Sequence, residues 1–148
     1  MKTLKNLAWI AAAGCVTILA NRAGWTHPLP AKDRASILLS HALPKLAGDH
    51  LKATLVDVRY GPGESSPPHS HSCPVIVHVV EGAIRTQVQG ELETTYKVGD
   101  SFYEGPNSVH AVSANASASE PAEFVAVLIC DHEGPLSTNV PARNMKGN

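Results

Sequence analysis

Past residue 50 the chain is written in short apolar runs separated by turn residues, a rhythm that belongs to strands rather than helices. Leu51, Ala53 and Leu55, then residues 57–60, make a first strand that stops at Gly61-Pro62-Gly63. Runs at 74–80, 84–89 and 93–98 follow, closed by Glu81-Gly82, Gly90 and Gly99-Asp100. Two more, at 101–104 and 109–113, flank Gly105-Pro106-Asn107, and an almost wholly apolar run at 124–130 ends the pattern. Ile84, Thr86 and Val88 alternate with Arg85 and Gln87, so one side of that strand packs inward and the other meets water. No helix of useful length is expected after residue 50. The fold class is therefore all-β.

The ends of the chain read differently. Lys2 and Lys5 precede an apolar run at 7–20, followed by Asn21 and Arg22, which is the pattern of an export signal over residues 1–23. The run is shorter than the roughly twenty residues a spanning helix needs. Cleavage is the leading reading, with a periplasmic or secreted product. An uncleaved anchor reaching Trp25, which would tether the protein to a membrane, and a lipid-modified Cys15 are the alternatives. Residues 24–50 form a linker, with two prolines at 26–32, and then an apolar stretch at 37–46 that Pro44 interrupts. That stretch is expected to be an extended edge strand, a helical turn being the other possibility. The barrel itself is assigned to 51–131, residues 115–120 to a surface loop, and 132–148 to a C-terminal tail.

Composition narrows the function classes. The 148 residues leave roughly 120 after removal of a signal, enough for one domain. Twelve basic and thirteen acidic residues are scattered without a cluster, so nothing attracts a phosphate backbone, and nucleic acid is not an expected partner. With 43% hydrophobic and 17% charged residues the chain can bury a core. No nucleotide-binding glycine loop, nucleophile elbow or zinc-finger cysteine pairing is present. Loss of Cys15 with a signal would leave Cys73 and Cys130, which pair only if the fold brings them together.

The chemistry concentrates in His69-Ser70-His71. On an extended strand residues two apart point the same way, so both imidazoles leave one face at a spacing that suits a single ion. His110, just beyond the Pro106-Asn107-Ser108 turn, is the candidate third ligand. Glu104 is an unexpected acid in an otherwise aromatic strand: turned inward it becomes a fourth ligand or a general base, turned outward a rim residue. Cys73 continues the alternation of His69 and His71, although Pro74 turns the chain there. His78 faces away from Val75, Val77 and Val79, and His27, His41, His50 and His132 are read as ordinary. Strand parity makes Phe102, Tyr103 and Gln87 candidates for lining a cavity.

Residues 63–82 and 99–110 together resemble the two motifs of the cupin superfamily. Gly63, His69, His71 and Gly82 fall where the first motif has them, but Val75 stands in place of its glutamate. Gly99, Asp100 and His110 match the second, with Gly105-Pro106-Asn107 in place of its proline and glycine. The resemblance implies a single jelly-roll barrel, two packed antiparallel sheets with a metal near one mouth. A site of three neutral histidines is similar to that of iron-dependent thiol and diketone dioxygenases, while manganese, zinc, nickel or copper are equally compatible. The expected function is that of an exported metalloprotein, an enzyme of dioxygenase type acting on a small organic molecule. Isomerase or lyase chemistry ranks behind this, and the other readings are a non-catalytic barrel that binds a small ligand or metal and one whose metal is merely structural. A homodimer joined through residues 37–43 is a further expectation.

Overall fold

The computed structural model describes residues 35–141, and within them the chain is strand and loop throughout, with no helix long and apolar enough to cross a membrane. The expected signal, Cys15, the linker at 26–32 and residues 142–148 lie outside the described residues. Ten strands follow in order: β1 (Lys52–Tyr60), β2 (Ser65–Ser66), β3 (His69–Ser70), β4 (Val75–Glu81), β5 (Ala83–Val88), β6 (Thr94–Lys97), β7 (Ser101–Glu104), β8 (Val109–Asn115), β9 (Ala122–Cys130) and β10 (Thr138–Asn139). They form two antiparallel sheets, β1-β9-β4-β7 and β10-β3-β8-β5-β6, with β2 pairing beside β3 on β8. The expected all-β jelly-roll is the fold observed.

Alternation explains how the sheets close on a common core. Ala122, Phe124, Ala126, Leu128 and Cys130 of β9 point inward, as do Val75, Val77 and Val79 of β4 and Ile84 of β5. Each fully buried valine or leucine contributes about 1.5–3 kcal/mol relative to exposure. On β1 the parity places Val56, Val58 and Tyr60 against this core and leaves Leu55 largely in water, at 71% exposure. Gly82 joins β4 to β5 with φ of +66°, and a Cβ there would collide with the Pro121 carbonyl, so backbone angle and close approach both demand glycine. Asn107, standing where the family's second motif has a glycine, itself adopts φ of +63°, which asparagine tolerates better than most residues.

Three expectations need correction. Residues 37–46 form no strand: Ile37 is 86% exposed, and the segment is held by a stack of His41 on Tyr103, with ring centroids 3.6 Å apart, and by the Ala47 amide donating to Asp131 Oδ2 at 2.6 Å. Pro44 removes a ladder donor from the middle of this stretch. The segment read as a C-terminal tail carries a short strand within the described residues. Beyond β9, β10 adds to β3 as Asn139 faces His69, and the Val140 amide donates to the Pro68 carbonyl at 2.8 Å. Cys73 is bonded to Cys130, 57 residues away, which removes it from the candidate ligands. That bridge ties the turn after β3 to the end of β9.

Closing a loop of that length removes chain entropy from the unfolded state worth about 4 kcal/mol. Replacing Cys73 and Cys130 together by serine is therefore expected to lower the unfolding free energy by several kcal/mol in denaturant melts. Reduced wild-type protein should match the double variant, and equal midpoints for oxidised and reduced protein would refute this account.

Candidate metal centre

The centre is assembled by strand register. His69 of β3 pairs directly with His110 of β8, and His71 follows two residues on. The ring centroids of His69 lie 4.9 Å from those of His71 and 5.1 Å from those of His110. One candidate ligand atom from each of the three lies within 4.8 Å of the others. Ligand atoms around a tetrahedral ion with bonds near 2.1 Å sit about 3.4 Å apart, so the side chains would close inward on an ion. Along β8 the register slips: Gln87 faces Val112 and Val88 faces His110, which leaves Ala111 as an extra residue. This bulge turns both His110 and Ser113 inward although they are three residues apart.

Hydrogen bonds decide which ring nitrogen is free. His69 Nδ1 donates to the Pro67 carbonyl at 2.9 Å and His71 Nδ1 to the Leu136 carbonyl at 2.6 Å. A carbonyl can only accept, so Nδ1 carries the proton and the Nε2 lone pair of each ring is left for an ion. In His110 the bonded atom is Nε2, which pairs with Thr86 Oγ1. Its buried Nδ1 has no hydrogen-bond partner among the described residues, for Glu104 Oε1 is near at 3.2 Å but poorly aligned. An orphaned buried nitrogen beside two available lone pairs fits a divalent cation. Burial lowers the pKa of His71, outweighing the Leu136 hydrogen bond, and burial followed by the neighbouring His69 and His71 drives His110 down to about 3. Burial therefore favours the neutral form of both rings.

Glu104 turns inward and is only 5% exposed. Its Oε2 lies 3.7 Å from His71 Nε2 while Oε1 faces His110. Burial pushes this carboxyl up to about 7. Its cross-strand partner in the β4–β7 ladder is Val75, the residue that replaces the glutamate of the first motif. The carboxylate has in effect moved one strand sideways on the same inward face.

These groups open onto a cavity of about 270 Å³, lined by the three histidines, Glu104, Tyr60, Ser66 and Ser113, and walled by apolar side chains of β1, β4 and β9. Phe102, Tyr103 and Gln87 do not line it: Phe102 stacks on Tyr96, Tyr103 points outward to His41, and Gln87 Nε2 donates to the Glu91 carbonyl. His78 lies on the outer face, bonded to Ser101 Oγ, as its parity requires. Thr86 and Leu136 hold ligand rings and were not recognisable as such. Thr86 reads as inward from its strand, but the bulge that sets it against His110 leaves no local signal. Leu136 acts through its backbone carbonyl, to which side-chain patterns are blind.

The Cupin domain family model matches residues 56–128. By sequence, no curated protein matches the chain. Among solved structures, a cupin-like protein from Thermotoga maritima is 27% identical, with a TM-score of 0.53 over 60% of this chain and 64% of that one. The chain thus spans under two thirds of that relative's length. An oxalate oxidase in complex with the substrate analogue glycolate is 18% identical, with a TM-score of 0.51 over 75% and 68%. DMSP lyase DddQ from Ruegeria pomeroyi is 18% identical, with a TM-score of 0.52 over 68% and 47%. At such identities the last two speak for the fold alone. Family match, sheet topology and the histidine geometry agree, and residues 56–128 of the chain form a domain of the cupin superfamily.

Proposed function

We propose that this protein is a metal-dependent enzyme acting on a small organic molecule, with His69, His71 and His110 holding a divalent ion and Glu104 moving a proton. The observation that carries the reading is the buried carboxylate. Glu104 lies between two imidazoles in a cavity without lysine or arginine among its lining residues. An unpaired buried acid is costly, and a fold that needed only a core would fill the site with an apolar side chain. A carboxyl with a pKa near 7 suits proton transfer at neutral pH. The ion, of iron, manganese, zinc, nickel or copper, would supply Lewis-acid or oxygen chemistry at a position left open by three protein ligands. The chain's own residues do the rest. Pro67, Leu136 and Thr86 fix the rings, the apolar wall excludes water, and Glu104 accepts or returns the proton.

Oxygenation is the reaction class we favour, ahead of isomerase or lyase chemistry. Neighbours named as an oxidase, a decarboxylase and a lyase share the fold without sharing a reaction, which matches the general separation of fold from function. We also propose that the protein is exported, since a Cys73–Cys130 disulfide suits an oxidising compartment. A barrel that binds a ligand without turnover is the second reading, and loss of Glu104 separates the two.

Elemental analysis of protein purified without chelator should find near-stoichiometric metal, absent when His69 and His110 are both changed to alanine. A metal-free wild type that takes up none of the five ions would end the enzyme reading. Glu104→Gln should retain metal yet lose about 100-fold or more in turnover, followed by dioxygen consumption against a panel of small organic substrates. Unchanged turnover would favour the non-catalytic barrel. Ending the chain after Gly134 removes the Leu136 carbonyl but keeps the Lys52–Glu133 ion pair and the disulfide. Metal affinity, measured by competition with a chelating dye, should fall about tenfold to a hundredfold; full affinity in the shortened chain would show that Leu136 does not orient His71.

A further inference from the structure

The same cavity holds a second polar feature that metal binding does not use. Tyr60 OH lies 2.6 Å from Ser66 Oγ and 2.9 Å from Ser113 Oγ, and all three residues line the cavity. Tyr60 and Ser113 are buried, and the Ala111 bulge is what turns Ser113 inward. The bookkeeping of protons is fixed whatever the direction of the bonds. Two hydrogen bonds join three hydroxyls, so two protons are used and one is left over. A surplus donor lining a cavity calls for an acceptor, and this one opens onto an otherwise apolar wall of Val58, Val77, Phe124, Ala126 and Leu128.

Two further facts limit what enters. A volume of about 270 Å³ falls below the ~300 Å³ lower bound of drug-sized pockets. No lysine or arginine lines the space, so the only positive charge on offer is that of the ion, and Glu104 opposes further anions nearby. A second carboxylate or a phosphate on the ligand would be buried unpaired.

Building on the metal reading above, we propose that the ligand is a compact oxygenated hydrocarbon with one anionic oxygen-donor head for the ion and a carbonyl-type oxygen received by the Tyr60–Ser66–Ser113 hydroxyls. The apolar body between them fills the wall of β1, β4 and β9. Dianions without a hydrocarbon body are excluded from the class. The hydroxyl cluster is the element that sets specificity, because a site built to donate discriminates against an analogue that lacks the acceptor.

The test uses cobalt-loaded full-length protein and matched probes, read by calorimetry and by the visible spectrum of the ion. Pentanoate, hexanoate and heptanoate are compared with 4-oxopentanoate, 5-oxohexanoate and 6-oxoheptanoate, and oxalate serves as the dianion. At least one keto acid should bind about tenfold tighter than its parent, the worth of one satisfied hydrogen bond, and oxalate should bind more weakly than that keto acid. In the variant Tyr60→Phe/Ser66→Ala/Ser113→Ala the advantage should vanish, with cobalt content and parent-acid affinity unchanged. Should that variant fail to fold, Tyr60→Phe alone should reduce the advantage at least threefold. Equal affinity of keto and parent acids throughout the series, an advantage that survives the substitutions, or oxalate as the tightest probe would each overturn the proposal. Failure of the wild type to take up cobalt or any of the five ions named above would instead overturn the metal reading, so the two failures are distinguishable.

Discussion

Strand β8 is the member on which the second sheet and the candidate centre both depend. It pairs with β5 along one side and with the two-residue strands β2 and β3 along the other, so the histidine pair has no ladder of its own beyond β8 and β10. The extra residue at Ala111 lets one strand turn both a ligand and a cavity hydroxyl inward. A regular strand would have sent either His110 or Ser113 to the outer face. The bulge also sets Thr86, the cross-strand partner of Ser113, against the ring of His110. One irregularity thus orients an imidazole and a polar wall together.

Exchange of a motif glutamate for Val75 does not empty the centre of acid. Because Val75 and Glu104 are ladder partners, a carboxylate on β7 reaches the same inward space that one on β4 would occupy. The two positions are not equivalent, however. From β7 the carboxylate faces His110 and His71, and it is buried enough to raise its pKa. A group in such a setting is better suited to exchanging a proton than to standing as a permanent counter-charge.

The chain on either side of the barrel acts as fastening. Residues 131–140 run past the histidine strand and grip it repeatedly: His132 Nε2 bonds Ser72 Oγ, Leu136 accepts from His71, and Val140 donates to Pro68. The disulfide closes the same region from Cys73, two residues beyond His71. Short strands have few ladder bonds, and these cross-links compensate by fixing the loop from several directions. Second contacts of this kind commonly decide how well a metal site is shaped.

The amino-acid sequence alone determined what rests on neighbouring residues. A period of two makes His69 and His71 project together, parity sends His78 outward and Thr86 inward, and positive φ at Gly63, Gly82 and Gly99 explains why motif glycines stand at those turns. The all-β class, the barrel and the histidine trio were legible for that reason. Tertiary structure decided the remainder. Whether Glu104 lies inward or on the rim, whether Cys73 ligates or bonds Cys130, and whether the chain past Cys130 is a tail or a brace all depend on pairings across tens of residues. The apolar stretch at 37–46 failed as a strand for the complementary reason: hydrophobicity proposes a strand, but only a partner edge with matching donors makes one. Local periodicity settles where a side chain points on its strand, whereas the strand's neighbour is chosen by the burial of the whole sheet.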